Sequence, residues 1–133
     1  MATIFSKIID GEIPSYKIAE NDDFFAFMDI NPLAKGHTLV IPKKEVDYIL
    51  DLDDDTTAEL WKFAKKIGKA VESIVPCKKI GFTVIGLEVP HTHIHVIPIN
   101  TIYDMDFKQP KLKLEQEEFI DLASRISTAF DEL

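Results

Sequence analysis

Apolar positions along the chain recur at two periods, and each period predicts a different kind of element. Ile4-Phe5-Ser6-Lys7-Ile8-Ile9 reads as a short helical turn that ends at the break Asp10-Gly11-Glu12-Ile13-Pro14. Tyr16 to Glu20 predicts a first strand, Asn21-Asp22-Asp23 a turn, and the aromatic run Phe24 to Ile30 a second strand paired with the first. A loop over Asn31 to Gly36 leads into a third strand, His37 to Pro42, with His37, Leu39 and Ile41 on one face. Asp51 to Asp55 followed by Thr56 and Glu59 is a helix-start signal with capping-box spacing. Leu60, Ala64, Ile67, Val71 and Ile74 then form an apolar stripe, flanked by Trp61 and Phe63, until Pro76 stops the helix. Lys79 to Gly86 predicts a fourth strand and Pro90 to Pro98 a fifth, whereas 100–113 has no regular pattern. Phe119, Leu122, Ala123, Ile126, Ala129, Phe130 and Leu133 mark an amphipathic C-terminal helix. Strands and helices do not alternate, which predicts an α+β domain with a mainly antiparallel sheet and its helices on one face.

Length and composition narrow the function classes. A chain of 133 residues with 46% apolar and 29% charged residues suits a folded domain with a full core. No repeat, linker or low-complexity run divides it, so 1–133 is expected to be a single domain. A net charge of -8 argues against general nucleic-acid binding, which needs cationic surface, though a small phosphorylated ligand remains open. Cys77 is the only cysteine, which excludes a disulfide framework and a Cys-based zinc site. The N-terminal residues show no signal-peptide pattern and no run is long enough to span a membrane, so the expected location is the cytoplasm. Neither a Gly-rich phosphate loop nor a G-x-S-x-G elbow is present.

The chemistry lies in Pro90-His91-Thr92-His93-Ile94-His95-Val96-Ile97-Pro98, which holds three of the four histidines at i, i+2, i+4. On a strand these three would share one face, with neighbours separated by roughly 6.5 Å. Two uses fit that row. The imidazoles could ligate one metal ion, although Glu88 is the only carboxylate flanking them. Alternatively one imidazole is a nucleophile or acid–base group, while the others orient it and bind an anion. His37, which opens its own strand after Gly36, could join either assembly.

The stretch 90–98 resembles the His-x-His-x-His signature of the histidine triad superfamily of nucleotide hydrolases and transferases. Ile4 to Pro14, Ala26 to Pro32 and Gly36 to Lys44 resemble further blocks of its nucleotide-binding branch, so the likeness covers most of 3–98. The tail at 114–133 lies outside it. This resemblance implies a five-stranded antiparallel sheet with two main helices, continued across a homodimer, and no metal or other cofactor. It implies that His93 attacks the α-phosphorus of a purine nucleoside phosphoramidate or related nucleotidyl compound, forming a nucleotidyl-histidine that water hydrolyses. His91 would orient His93 with His37 behind it, and His95 would bind phosphate oxygens or protonate the leaving group. Phe5, Ile8, Phe27 and Ile30 would surround the base and Asp29 would meet the ribose hydroxyls. A regulatory nucleotide-binding protein with little turnover is the alternative, and a His-ligated metal-dependent hydrolase the third reading.

One stretch departs from the family pattern. An Asn at the end of the fourth strand, and a Gly-rich loop with Gln or Ser before the triad, are usual. Here the chain reads Val84-Ile85-Gly86-Leu87-Glu88-Val89-Pro90, with neither polar donor and with an acid beside the expected phosphate position.

Overall fold

The computed structural model describes residues 2–133. Its five strands are β1 (Lys17–Glu20), β2 (Phe24–Met28), β3 (Thr38–Pro42), β4 (Lys79–Thr83) and β5 (Ile94–Ile99). They form one antiparallel sheet in the order β1-β2-β3-β5-β4, the α+β architecture expected. The β1–β2 turn is set by Asn21, whose side-chain oxygen accepts from the amides of Asp23 and Phe24 at 2.9 and 2.8 Å.

Three helices flank the sheet: α1 (Ile4–Ile9), α2 (Asp54–Ile74) and α3 (Gln116–Asp131). The predicted stripe of α2 is the centre of the core, with Leu60, Ala64, Ile67 and Val71 fully buried against Val40, Ile94 and Val96. Phe63 adds a second buried side by packing against Phe24 and Phe130. From α3, Phe119, Leu122, Ala123 and Ile126 enter the same core, whereas Leu133 lies beyond the helix and stays exposed. Both main helices thus cover one face. The short α1 covers the other, where Phe5 joins Phe25, Phe27, Leu39 and Ile41 in a smaller cluster. Burial from both sides explains why β2 and β3 read as unbroken apolar runs rather than alternating ones. No helix among the described residues is long and apolar enough to cross a membrane.

Several boundaries differ from those the sequence suggests. The cap of α2 is Asp53, which accepts from the Thr56 amide at 3.0 Å and its hydroxyl at 2.6 Å, in place of a Thr56–Glu59 box. The second strand ends at Met28 because Asp29 turns the chain, its carboxylate accepting from the Asn31 amide at 2.8 Å. The fourth strand stops at Thr83 and the third starts after His37. The fifth starts only at Ile94, leaving His91, Thr92 and His93 ahead of it. The amide and hydroxyl of Thr92 both donate to the Val46 carbonyl at 2.7 Å, which draws this stretch away from the β3 ladder. Within 100–113, Ile102–Met105 forms a 3-10 turn with a Thr101–Asp104 capping box.

Gly36, just before β3, has φ +91, and a Cβ there would lie 2.9 Å from the Val75 side chain. Both the left-handed backbone and the close packing require glycine. Gly36→Ala is expected to lower stability by about 2 kcal/mol or more. A urea midpoint equal to that of the parent protein would contradict this.

Candidate active site

All four histidines lie together at the N-terminal end of β5 and the start of β3, and all four are buried. Backbone groups fix most of their ring protons. His91 donates from Nε2 to the Pro42 carbonyl at 2.8 Å, so its Nδ1 is left to accept from the Thr3 hydroxyl at 2.9 Å. His93 donates from Nδ1 to the His91 carbonyl at 2.7 Å. A carbonyl can only accept, so the His93 proton is held at Nδ1 and the lone pair stands at Nε2.

A second chain of bonds sets His95. The Leu33 amide donates to His37 Nδ1 at 3.0 Å, which keeps the His37 proton on Nε2. His37 Nε2 then donates to His95 Nδ1 at 3.0 Å, leaving the His95 proton on its outer Nε2. The rings of His93 and His95 are 5.0 Å apart. An imidazole with a free lone pair therefore stands beside one that presents a proton. The expectation that His37 stands behind His91 is not met, for His37 bonds His95. Pro42 and Thr3 take the two nitrogens of His91 instead.

Burial makes these rings resist protonation. His37 is pushed down to about 3, chiefly by burial and then by the nearby His95. His95 is pushed down to about 4 by burial and by His93. Burial also lowers His93, partly offset by its bond to the His91 carbonyl. All three are neutral near pH 7, and a nucleophilic imidazole must be neutral.

Around the rings, Phe5 sets its edge against His93 with centroids 5.0 Å apart and planes at 84°. Phe27 stacks edge-on to Phe5 at 5.5 Å, and Ile8 packs on the same cluster. Ile30 lies outside this buried cluster and is 63% exposed. Asp29 brings one carboxylate oxygen to 3.5 Å from His37 Nε2, and burial pushes its carboxyl up.

Asp29, His37 and His95 each offer a ligand atom within 4.8 Å of the others, the spacing of a metal site. The donors do not suit an ion. The Leu33 amide keeps a proton on His37 Nε2, the atom that would have to ligate, and that proton is shared with His95.

Two neighbours were not foreseen. Phe107 lies 4.8 Å from the His95 ring and 6.2 Å from His37, in a stretch pinned by the Leu112 amide on the Pro32 carbonyl at 2.8 Å. Lys111 donates to the carbonyls of Phe107 and Gln109, and its charge reaches Asp29 and His37. An isolated Phe and Lys in an irregular segment carry no periodic signal, so only the folded chain brings them here. On the other side of the charge balance, Glu88 acts on His93 from the loop before the triad.

An antiparallel sheet that carries a tautomer-fixed imidazole beside a proton-bearing one has the equipment for group transfer through histidine. The HIT domain family matches residues 10–102, and the chain belongs to it, within the histidine triad superfamily. A HIT-like protein of Borreliella burgdorferi is 44% identical over 132 residues, spanning 93% of this chain and 95% of its own. The adenosine 5'-monophosphoramidase hnt1 of Schizosaccharomyces pombe is 36% identical over 131 residues, 96% of this chain and 98% of its own. Among solved structures, a Hit-like protein from Bartonella henselae superposes with a TM-score of 0.81 at 36% identity. That match covers 96% of this chain and 95% of the other.

Proposed function

We propose that the protein hydrolyses nucleotidyl compounds at the α-phosphorus, with purine nucleoside phosphoramidates as the leading substrate class. The observation that carries this reading is the Nδ1–H of His93 on the His91 carbonyl, which leaves Nε2 free beside His95. His93 Nε2 attacks phosphorus and forms a P–N bond as the bond to the leaving amine breaks. His95 Nε2–H supplies the proton that the departing nitrogen needs, and His37 and the Leu33 amide keep that proton in place. Water then attacks phosphorus and gives a proton back to His95 Nε2, a P–O bond forms, and the P–N bond breaks as His93 leaves as neutral imidazole. The wall of buried Phe5 and Phe27 with half-buried Ile8 suits a base, and the carboxylate of Asp29 suits a pair of ribose hydroxyls. The phosphoramidase relative supports the substrate class. Release of AMP from adenosine 5'-phosphoramidate tests the proposal.

The loop before the triad favours a second reading, nucleotide binding with little turnover. Leu87 there is 89% exposed, and Glu88 brings a negative charge near His93 without the usual amide donors. Tight nucleotide binding with no product release would select that reading. If turnover occurs, Glu88 favours a leaving group that carries an ammonium. Glu88→Gln is then expected to improve KM for an anionic dinucleoside polyphosphate by about 3-fold, and to weaken that for an amine-bearing phosphoramidate similarly. Equal KM changes for both substrates would contradict this role.

A homodimer with a continuous sheet is part of the same proposal. Among the described residues, the outer edge of β4 has no neighbouring strand in the sheet, and half-exposed Phe82 meets Trp61 edge-on beside it. Sedimentation at micromolar concentration is expected to give twice the chain mass.

A further inference from the structure

The helix α1 is six residues long, too short to keep its shape by its own hydrogen bonds. Its last turn is continuous with the break that leads into β1, where the amides of Glu12 and Ile13 donate to the Lys7 carbonyl. The first turn is fastened by side chains instead. One carboxylate oxygen of Glu45, in the segment after β3, accepts from the Thr3 amide at 2.7 Å and from the Ser6 hydroxyl at 2.6 Å. The Ser6 hydroxyl, and after it the Thr3 amide, hold the Glu45 carboxyl below its ordinary range, so the acceptor is an anion near neutral pH. Within the turn, the Thr3 hydroxyl accepts from the Ser6 amide at 3.1 Å.

That turn carries Phe5, the buried residue of α1. Its ring meets Phe27 at 5.5 Å and the His93 ring at 5.0 Å, whereas Ile4 beside it is 49% exposed. The other groups that would face a nucleotide are held without α1. The Asp29 carboxylate accepts from the Asn31 amide, and His95 is bonded to His37. The His91 carbonyl that takes His93 Nδ1–H shares a planar peptide with the Thr92 amide, which the Val46 carbonyl fixes at 2.7 Å. Phe5 therefore differs from them in standing on a turn that Glu45 fastens.

We propose that Glu45 is a positioning residue for the nucleoside base, tying the first turn of α1 to the segment after β3 and so keeping the Phe5 ring in the base wall. This rests on the reading of the Phe5 cluster as that wall. Without the carboxylate, the Thr3 amide and the Ser6 hydroxyl turn to water and the first turn frays. Phe5 then spends part of its time away from Phe27. Burial of the ring still favours the docked turn, so the loss is graded rather than complete. The ribose and phosphate ends of a nucleotide keep their partners.

The test is calorimetric titration with AMP and with ribose 5-phosphate, which lacks the base, on the parent protein, Glu45→Ala and Glu45→Gln. A Gln side-chain oxygen can accept the same two bonds. The parent is expected to bind AMP roughly 10-fold more tightly than ribose 5-phosphate, or better. Glu45→Ala should weaken AMP about 5-fold and leave ribose 5-phosphate within about 1.5-fold, and Glu45→Gln should bring AMP back to within about 2-fold of the parent. Unchanged AMP affinity in Glu45→Ala overturns the proposal. So does equal weakening of both ligands, or a Glu45→Gln protein as weak as Glu45→Ala. Should Glu45→Ala fail to fold, Ser6→Ala removes one of the two bonds: AMP weakened about 2-fold with ribose 5-phosphate unchanged supports the role, and unchanged AMP affinity overturns it. Equal binding of AMP and ribose 5-phosphate by the parent would remove the base wall and this role with it. Selective loss of AMP binding in a protein that turns over no nucleotide leaves the role standing and removes the hydrolase reading.

Discussion

His93→Ala is expected to lower AMP release from adenosine 5'-phosphoramidate by roughly 10^4-fold or more, with nucleotide affinity kept within a few-fold. The size of the effect follows from what the ring does. His93 is the one histidine with a nitrogen that neither a backbone group nor another side chain occupies while its proton is fixed elsewhere. The ring sits at the edge of the Phe5 cluster rather than inside the main core, so truncation should remove the nucleophile and leave the base wall standing. Initial rates with saturating substrate, paired with calorimetric binding of AMP, measure both halves of the expectation. Activity within tenfold of the parent would remove His93 from the nucleophile's role.

The second large effect is on stability against acid. His37 and His95 are held near 3 and 4 in the folded protein, against about 6.5 for an unfolded chain. Below pH 6.5 the unfolded state therefore binds protons that the folded state refuses. Stability from this pair is fully present above pH 6.5 and falls as the pH drops toward 4. Asp29, whose carboxyl is pushed up by burial, works in the opposite sense for one proton, and two histidines outweigh it. The two histidines together should lose on the order of 6 kcal/mol between pH 7 and pH 4, less whatever Asp29 returns. Urea midpoints across that range should decline steadily, and His37→Asn should flatten the decline while starting lower. A level set of midpoints from pH 7 to pH 4 would contradict the buried neutral pair.

Much of the fold is legible along the chain because it rests on periodicity. The stripe Leu60, Ala64, Ile67, Val71 and Ile74 has one interpretation, and the structure buries the first four fully and Ile74 in part. Strand ends are another matter, for they depend on partners far away in sequence. The β-branched residues around His91 and His93 suit a strand, yet Thr92 is drawn to the Val46 carbonyl, and Pro42 on β3 has no amide to offer a ladder. The triad itself is readable from its spacing, but the partner of His37 is not. Antiparallel register decides that point: Thr38 pairs with Val96 and Leu39 with His95, so His37 lies near His95 while His91 lies near Pro42. Residues with no pattern at all, such as Phe107, Lys111 and Thr3, enter the site only through tertiary contact.

The belonging of the chain to the histidine triad superfamily and the geometry of its rings bear on the same question from different sides. The family supplies a substrate class to try first. The proposed reading adds an order of events, in which His93 would take the phosphoryl centre before water does and His95 would manage the proton. That order has a stereochemical consequence which no other property of the protein imitates. Hydrolysis, in 18O-labelled water, of an α-phosphorothioate substrate of one configuration, followed by determination of the configuration of the labelled product, reads it directly. Two in-line displacements through a nucleotidyl-histidine predict retention of configuration. Inversion would mean that water attacks phosphorus in a single step, and would contradict the account.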